Sequence, residues 1–175
     1  MTESTFLPLD MKPEALVSQY TKLGPGETRI RILTKPVGGW RGWLTIDEQR
    51  KPVTYKTADR EKMPKDAKDI AMFWAMKIWN YRTEQVEIFV VSKKSIQQAL
   101  WALVEDKDWG DFTKYDIKIT KTGEMKETRY KVLPCPKKEL DETIVMEDSM
   151  CEVKLENLYS TEANPYGGNP FVNGK

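Results

Sequence analysis

Residues 73–81 read Phe-Trp-Ala-Met-Lys-Ile-Trp-Asn-Tyr, and this stretch decides the fold class. Its residue types alternate with the period of a β-strand, in which successive side chains point to opposite faces of a sheet. One predicted face is apolar and suits a core: Met72, Trp74, Met76 and Ile78. The other mixes flat rings with a cation: Phe73, Ala75, Lys77, Trp79 and Tyr81. Such a mixture on an exposed sheet is typical of single-stranded nucleic-acid binding, because bases stack on rings and phosphates pair with cations.

Shorter strands are predicted on both sides of this stretch. Alternation indicates strands over 28–33, 86–91, 115–119 and 128–133. Apolar residues from Ile96 to Val104 follow helical spacing and predict one helix. Five strands with a helix between the third and fourth are the order of the OB-fold. The sequence therefore predicts a mainly β fold, a five-stranded OB-fold Greek-key barrel that binds oligonucleotides on one face.

The chain divides into three predicted parts. Residues 1–22 form an N-terminal arm, with a short helix over 13–20, and residues 23–138 form the OB-fold domain. Within that domain, residues 45–70 are predicted to be a long charged insertion, in which only residues 53–55 resemble a strand. Residues 139–175 are predicted to be an acidic, partly flexible C-terminal segment.

The net charge of +1 hides a strong asymmetry along the chain. Residues 1–138 hold 26 Lys and Arg against 19 Asp and Glu, a net charge of +7. Residues 139–175 hold 2 against 8, a net charge of −6. A basic body predicts contact with a polyanion, and a tethered acidic segment predicts competition for that surface or recruitment of a partner.

Composition argues against most catalytic chemistry. The chain contains no histidine, which removes Ser-His and Cys-His nucleophile pairs and His-ligated zinc. Cys135 and Cys151 are far apart and do not form a metal-ligand motif. The sequence predicts no catalytic residues, no metal and no cofactor. Two acidic pairs, Asp106/Asp108 and Asp108/Asp111, leave a magnesium-dependent nuclease as an alternative, although charged loop residues are usually solvated.

The candidate binding residues combine rings and cations of the basic body. Trp79 and Tyr81 are predicted to stack on bases beside Lys77, and Phe89 joins them across the hairpin. Basic residues on the outer faces of the first strand and the last hairpin are predicted to contact phosphates. The full predicted set is Arg29, Arg31, Trp40, Arg41, Trp43, Lys77, Trp79, Tyr81, Phe89, Lys118, Arg129 and Lys131.

Five motifs resemble one family, the tailed-phage single-stranded-DNA-binding proteins with an OB-fold. They are LGPGETRIRIL (23–33), GWRGW (39–43), FWAMKIWNY (73–81), KSIQQAL (94–100) and DWGDFTKYDI (108–117). The resemblance covers about residues 20–138. It implies a protein that coats and protects single-stranded DNA, without strong sequence preference, during phage DNA replication, recombination and repair. It also implies the cytoplasm of the infected bacterial host, and replication or recombination proteins as partners of the C-terminal segment.

The C-terminus departs from the usual pattern of such proteins, which end in an acidic run with a Pro-Phe tip. Here Asn-Pro-Phe at 169–171 lies downstream of the acidic residues, and four more residues follow it. A protein-docking OB module of a replication complex stays open as an alternative function, although the net charge of the body favours nucleic acid.

Overall fold

The computed structural model describes residues 19–172 of the chain. Within this range seven antiparallel strands form one open sheet, with the neighbour order β3-β2-β4-β1-β6-β7 and β5 paired to β4. The strands are β1 (Gly26–Ile32), β2 (Val37–Ile46), β3 (Gln49–Tyr55), β4 (Lys68–Asn80), β5 (Gln85–Val91), β6 (Asp116–Thr122) and β7 (Arg129–Pro134). Helix α1 (Lys94–Glu105) connects β5 to β6, and helix α2 (Glu142–Met150) follows β7. The predicted mainly β class is confirmed.

Strand β4 organises the sheet because it is thirteen residues long and pairs along both edges. Ala75 pairs with Val37 of β2 on one edge and with Val90 of β5 on the other. Farther along, Ile78 pairs with Ile32 of β1. Strands β2 and β1 therefore follow one another along the same edge of β4, and β5 occupies the opposite edge.

The predicted core face of β4 is confirmed at Met76 and Ile78, whereas Met72 is 40 % exposed and Trp74 is only partly buried. Met76 and Ile78 are fully buried, in one apolar cluster with Ile30 and Ile32 of β1 and Leu100 of α1. Helix α1 covers this face with its apolar stripe, as the spacing predicts. Its buried Gln97 donates hydrogen bonds to the Met72 and Val91 carbonyls, 3.0 and 2.9 Å away. These bonds pin the helix to two strands at once.

The predicted charged insertion is largely ordered secondary structure. Strands β2 and β3 form a hairpin, and β4 begins at Lys68, inside the region expected to be loop. The two-residue turn at Asp47 and Glu48 has φ angles of 50° and 64°, the left-handed values that such a hairpin turn needs. Asp-Glu lacks the glycine that is typical of this turn, so no local pattern predicts the hairpin. Gly39 permits close approach of β3, since a Cβ there would lie 2.1 Å from the Tyr55 carbonyl oxygen.

Residues 142–172, named here the C-terminal cover, pack on the second face of the sheet. Leu155, Leu158 and Phe171 are buried against Phe73 and Ile88. The Tyr159 hydroxyl donates to the Gly38 carbonyl at 2.5 Å, and the Tyr159 ring meets Phe73 edge to face. Within the predicted acidic, partly flexible C-terminal segment, these residues therefore pack on the sheet, because their scattered apolar side chains complete a second core.

The predicted helix over 13–20 lies almost wholly outside the described residues. At its end, Gln19 and Thr21 pair with the outer edge of β5 through two backbone hydrogen bonds to Ile88, each 2.9 Å long. Among residues 19–172, no helix has the length and apolar character needed to cross a membrane.

Replacing Leu158 by alanine tests the packing of the C-terminal cover. Because Leu158 is 5 % exposed and lies in the second core, we expect the free energy of unfolding to fall by about 2–5 kcal/mol in urea denaturation. Val145→Ala is the matched control, since Val145 lies in α2 but is 51 % exposed, and we expect it to change stability by about 0.5 kcal/mol or less. Equal effects of the two changes would mean that the cover is not part of the folded core.

Candidate nucleic-acid interface

The sheet register brings most of the predicted binding residues to one face. Arg29 pairs with Lys118, and Arg31 pairs with Trp79. Directly paired residues point to the same side of a sheet, and side chains two positions apart do so as well. This surface, named here the basic face, carries Arg29, Arg31, Lys77, Trp79, Tyr81, Lys118, Arg129 and Lys131. It is the face opposite to α1.

A buried carboxylate, Asp116, anchors the centre of the basic face. Its Oδ2 accepts hydrogen bonds from Nε and Nη2 of Arg29, at 2.9 and 2.6 Å. Its Oδ1 accepts from Nε of Arg31 at 2.7 Å and from the Tyr81 hydroxyl at 3.0 Å. The Lys138 ammonium lies 3.6 Å from Oδ2. Three cations and one phenol therefore converge on one carboxylate with no exposure to solvent.

These contacts shift the titration of both acidic groups. Burial acts to raise the pKa of Asp116, but the hydrogen bonds from Arg29, Arg31 and Tyr81 outweigh it and hold that pKa below its usual value. Burial, followed by the hydrogen bond to Asp116, raises the pKa of Tyr81 to about 12. The carboxylate therefore stays charged and the phenol stays a hydrogen-bond donor at neutral pH.

Tyr81 is the ring of this face that solvent reaches. It is half-buried, with the Arg29 guanidinium 5.3 Å and the Lys138 ammonium 5.9 Å from the ring centroid. Both distances are within the range of cation–π attraction. The ring is thus fixed by its hydroxyl and flanked by two cations.

Several cations around Tyr81 remain partly open to solvent. Side-chain exposure is 35 % for Arg29, 38 % for Lys118 and 47 % for Lys138. Arg129 and Lys131 are exposed on β7. This surface, named here the open strip, comprises Arg29, Tyr81, Lys118, Arg129, Lys131 and Lys138. A groove beside it is lined by the further basic residues Lys114 and Lys137.

The rest of the basic face is closed by the C-terminal cover or buried. The Lys77 ammonium forms an ion pair with Asp148 of α2, 2.5 Å long, and donates to the Asp148 carbonyl at 2.9 Å. Trp79, on the same side of β4, is only 6 % exposed. In this conformation neither side chain is available to a DNA strand, contrary to the sequence-based expectation for both.

Three further predicted residues are placed differently from expectation. Arg31 lies on the expected face but is 1 % exposed, because it pairs with Asp116 and donates to the Thr113 and Lys138 carbonyls. Phe89 pairs with Met76 and is buried in the α1 core, so it does not join Trp79 across the hairpin. Trp40 pairs with Met72, which places it on the face opposite to the basic face.

Arg41 and Trp43 lie on the cover side of the β2–β3 hairpin. The Arg41 guanidinium is 5.4 Å from the Phe73 ring centroid and 5.9 Å from that of Trp43. Burial lowers the pKa of Arg41. Arg50 lies 4.4 Å from the Trp43 centroid, so this ring already has a cation over it. The two residues are near the cover rather than in the open strip.

Two carboxylates of the acidic loop after α1 accept hydrogen bonds from residues of the same loop. The Asp106 carboxylate accepts from the Asp108 amide, and the Asp111 carboxylate accepts from the amide and hydroxyl of Thr113. Within residues 19–172, no group of three or more acidic or cysteine side chains is arranged to hold a metal ion.

The residues predicted from sequence include neither Asp116 nor Lys138. The sequence predicts Asp116 only as part of a strand, and Lys138 only as part of the basic body. A lone acid among basic and aromatic residues of a predicted strand was the available signal for Asp116. No local pattern could identify Lys138, since its place beside Tyr81 depends on how the chain returns after β7.

No family model, curated protein or solved structure matches the chain. The resemblance to phage single-stranded-DNA-binding proteins therefore stays a prediction from the five motifs.

Stability at acid pH tests the Asp116 network. Its pKa in the folded protein is below the unfolded value of about 3.9, so its contribution is fully present above that pH and is lost as pH falls through the folded value. We expect Asp116→Asn to lower the free energy of unfolding by about 3–5 kcal/mol at neutral pH, because it leaves Arg31 buried without its partner. In urea denaturation, this difference from the unsubstituted protein should shrink as pH falls below about 4.

The control is Asp69→Asn, which removes the carboxylate of an exposed pair with Arg50. We expect it to cost about 1 kcal/mol or less. A gap between the Asp116→Asn and unsubstituted proteins that stays constant down to the acid limit would contradict a lowered pKa at Asp116.

Proposed function

We propose that this protein binds single-stranded DNA without strong sequence preference, with the open strip as the primary contact surface. The observation that carries the proposal is the register, which gathers a solvent-accessible ring and four partly or fully exposed cations on one sheet face, with Lys138 beside them after β7. Rings offer a stacking surface to any base, and cations bind the phosphates that every sequence shares. The combination favours single-stranded over double-stranded DNA, because the bases of a duplex are already stacked on each other and are not free to stack on a ring.

The strand connections support an OB-fold for the proposed domain. Strands β1, β4, β5, β6 and β7 are linked by the pairs β1–β4, β4–β5, β1–β6 and β6–β7, with α1 between β5 and β6. These are the neighbours of a five-stranded OB barrel if the β2–β3 hairpin is an insertion. No pairing of β5 with β7 is seen within residues 19–172, so the proposed barrel is open on that side.

In this proposal the phosphates of the DNA lie along the cations of β1, β6 and β7. Lys118 of β6 pairs with Arg29 of β1, and Lys131 of β7 pairs with Thr120 of β6. The basic groove beside the strip, with Lys114 and Lys137, extends this path. The resemblance to tailed-phage single-stranded-DNA-binding proteins implies the role that we propose: protection of single-stranded DNA during phage replication, recombination and repair in the cytoplasm of the host. The acidic C-terminal segment would then be the contact for partner proteins.

The C-terminal cover sets the extent of the proposed site. It occupies the part of the basic face that holds Phe73 and Lys77, next to Trp79. The carboxylate of Asp148 binds Lys77 in the way that a phosphate of DNA would. Displacement of the cover would therefore lengthen the site by one cation and adjacent aromatic surface.

The salt dependence of oligo(dT) binding tests the open strip. Log affinity should fall with log salt, and each lost phosphate contact should make the slope shallower by about 0.7. We expect that change for Lys118→Ala and for Lys131→Ala, measured by the fluorescence anisotropy of labelled oligo(dT).

Lys94→Ala is the matched control for this test. Lys94 is an exposed lysine at the start of α1, on the other side of the sheet, so its removal changes the net charge equally without touching the strip. If Lys94→Ala flattens the slope as much as Lys118→Ala, the contact surface is diffuse and the strip is not the site. A wild-type slope near zero would refute nucleic-acid binding through the basic body.

Competition by the cover is tested with Asp148→Asn. The change removes the ion pair with Lys77 and lowers the closed fraction of the cover, so we expect oligo(dT) affinity at low salt to rise about fivefold, equivalent to ~1 kcal/mol of closing free energy. Glu162→Gln alters the net charge identically at an exposed position and should leave affinity unchanged. Equal affinity of both variants would mean that the cover stays closed over bound DNA.

A further inference from the structure

We propose that Asp116 is a positioning residue for DNA binding, which presents Arg29, Tyr81 and Lys138 to the strand as one preformed contact. The inference rests on the proposed function, and it adds a role for an anionic residue within a surface that binds an anion. Asp116 itself is completely buried, so its proposed role needs no direct contact with DNA. It would act through the three side chains that surround it.

The geometry ties each of the three contact residues to the same carboxylate. Arg29 gives it two hydrogen bonds, Tyr81 gives it one, and Lys138 lies 3.6 Å away. The side chains remain partly exposed on the side away from Asp116. Each therefore has one end fixed inside the protein and a surface left for a ligand.

Fixing these side chains before binding has a definite advantage. Long cations and exposed rings lose rotamer freedom when a ligand immobilises them, and that loss weakens binding. The Tyr81 hydroxyl is held by Asp116, and two cations lie 5.3 and 5.9 Å from the centroid of its ring. Binding would thus immobilise groups that are already held.

Arg31 separates the positioning role from simple support of the fold. Arg31 binds Asp116 at 2.7 Å and donates to two backbone carbonyls, and it is only 1 % exposed. The Arg29 and Tyr81 side chains make their hydrogen bonds to the same carboxylate from the open strip, where both remain partly exposed. A ligand for the open strip would explain why Arg29, Tyr81 and Lys138 all converge on Asp116.

Charge removal at Asp116 distinguishes positioning from plain electrostatics. Removing a carboxylate makes the protein more positive, so long-range attraction alone predicts tighter binding of a polyanion. Positioning predicts the opposite sign. We expect Asp116→Asn to weaken oligo(dT) binding by about tenfold or more, the scale of one lost charge-assisted hydrogen bond.

The matched control is Glu27→Gln, on the same strand as Arg29. Glu27 is 54 % exposed and only 3.9 Å from Lys118, so its loss changes the charge near the strip without disturbing the network. We expect unchanged or tighter binding. Circular dichroism and thermal melting should first establish that the Asp116→Asn protein is folded at the assay temperature.

A second variant gives an answer even if Asp116→Asn does not fold. Tyr81→Phe keeps the ring and its stacking surface but removes the hydroxyl that Asp116 holds. We expect a loss of affinity of about fivefold or more, and no additional loss when the change is combined with Asp116→Asn in a folded protein. A ring that acts only as a stacking platform would not respond to loss of its hydroxyl.

The outcomes separate the inference from the proposed function. Absence of oligo(dT) binding by the unsubstituted protein would overturn both. Normal binding by the unsubstituted protein, with equal or tighter binding by folded Asp116→Asn or unchanged binding by Tyr81→Phe, would overturn the positioning role alone.

Discussion

The two-sided burial of β4 is the constraint on which the rest of the structure depends. Met76 and Ile78 on one side require α1, while Phe73 and Ala75 on the other require a second apolar layer. A central strand whose two faces are both apolar between Phe73 and Met76 cannot leave either face in water without a large exposed hydrophobic patch. The β2–β3 hairpin extends the sheet at that end of β4, and the C-terminal cover supplies the missing layer.

Local alternation predicted the fold class because it is a property of each strand by itself. The 73–81 stretch, the Ile30/Ile32 pair and the Ile96/Leu100 stripe need no knowledge of their partners. The cover could not be predicted in the same way. Helix α2 has no apolar stripe, and Leu155, Leu158 and Phe171 are separated by polar loops, so their common contact is non-local. The same holds for the burial of Arg31 by a strand 85 residues away.

Charge counting predicted a basic body but overstated the free positive charge. Arg31 and Lys77 are neutralised inside the protein by Asp116 and Asp148. Buried ion pairs contribute little net stability when formed, yet removing one partner is costly. They therefore determine which strands and segments meet more than they raise the stability of the fold. A cation that alternates to the outer face of a strand is therefore not by itself a ligand contact. The acid that faces it across the sheet decides its role.

The chemistry along β4 explains where the cover ends. Proceeding from Phe73 and Ala75 through Lys77 to Tyr81, the basic face changes from apolar to polar. Covering the apolar part of this face with an apolar layer stabilises the fold. Covering the polar part would destabilise it, because charged groups there would lose their hydration. The ion pair between Lys77 and Asp148 lies at this boundary. The open strip is thus left uncovered for the same physical reason that the apolar part is covered.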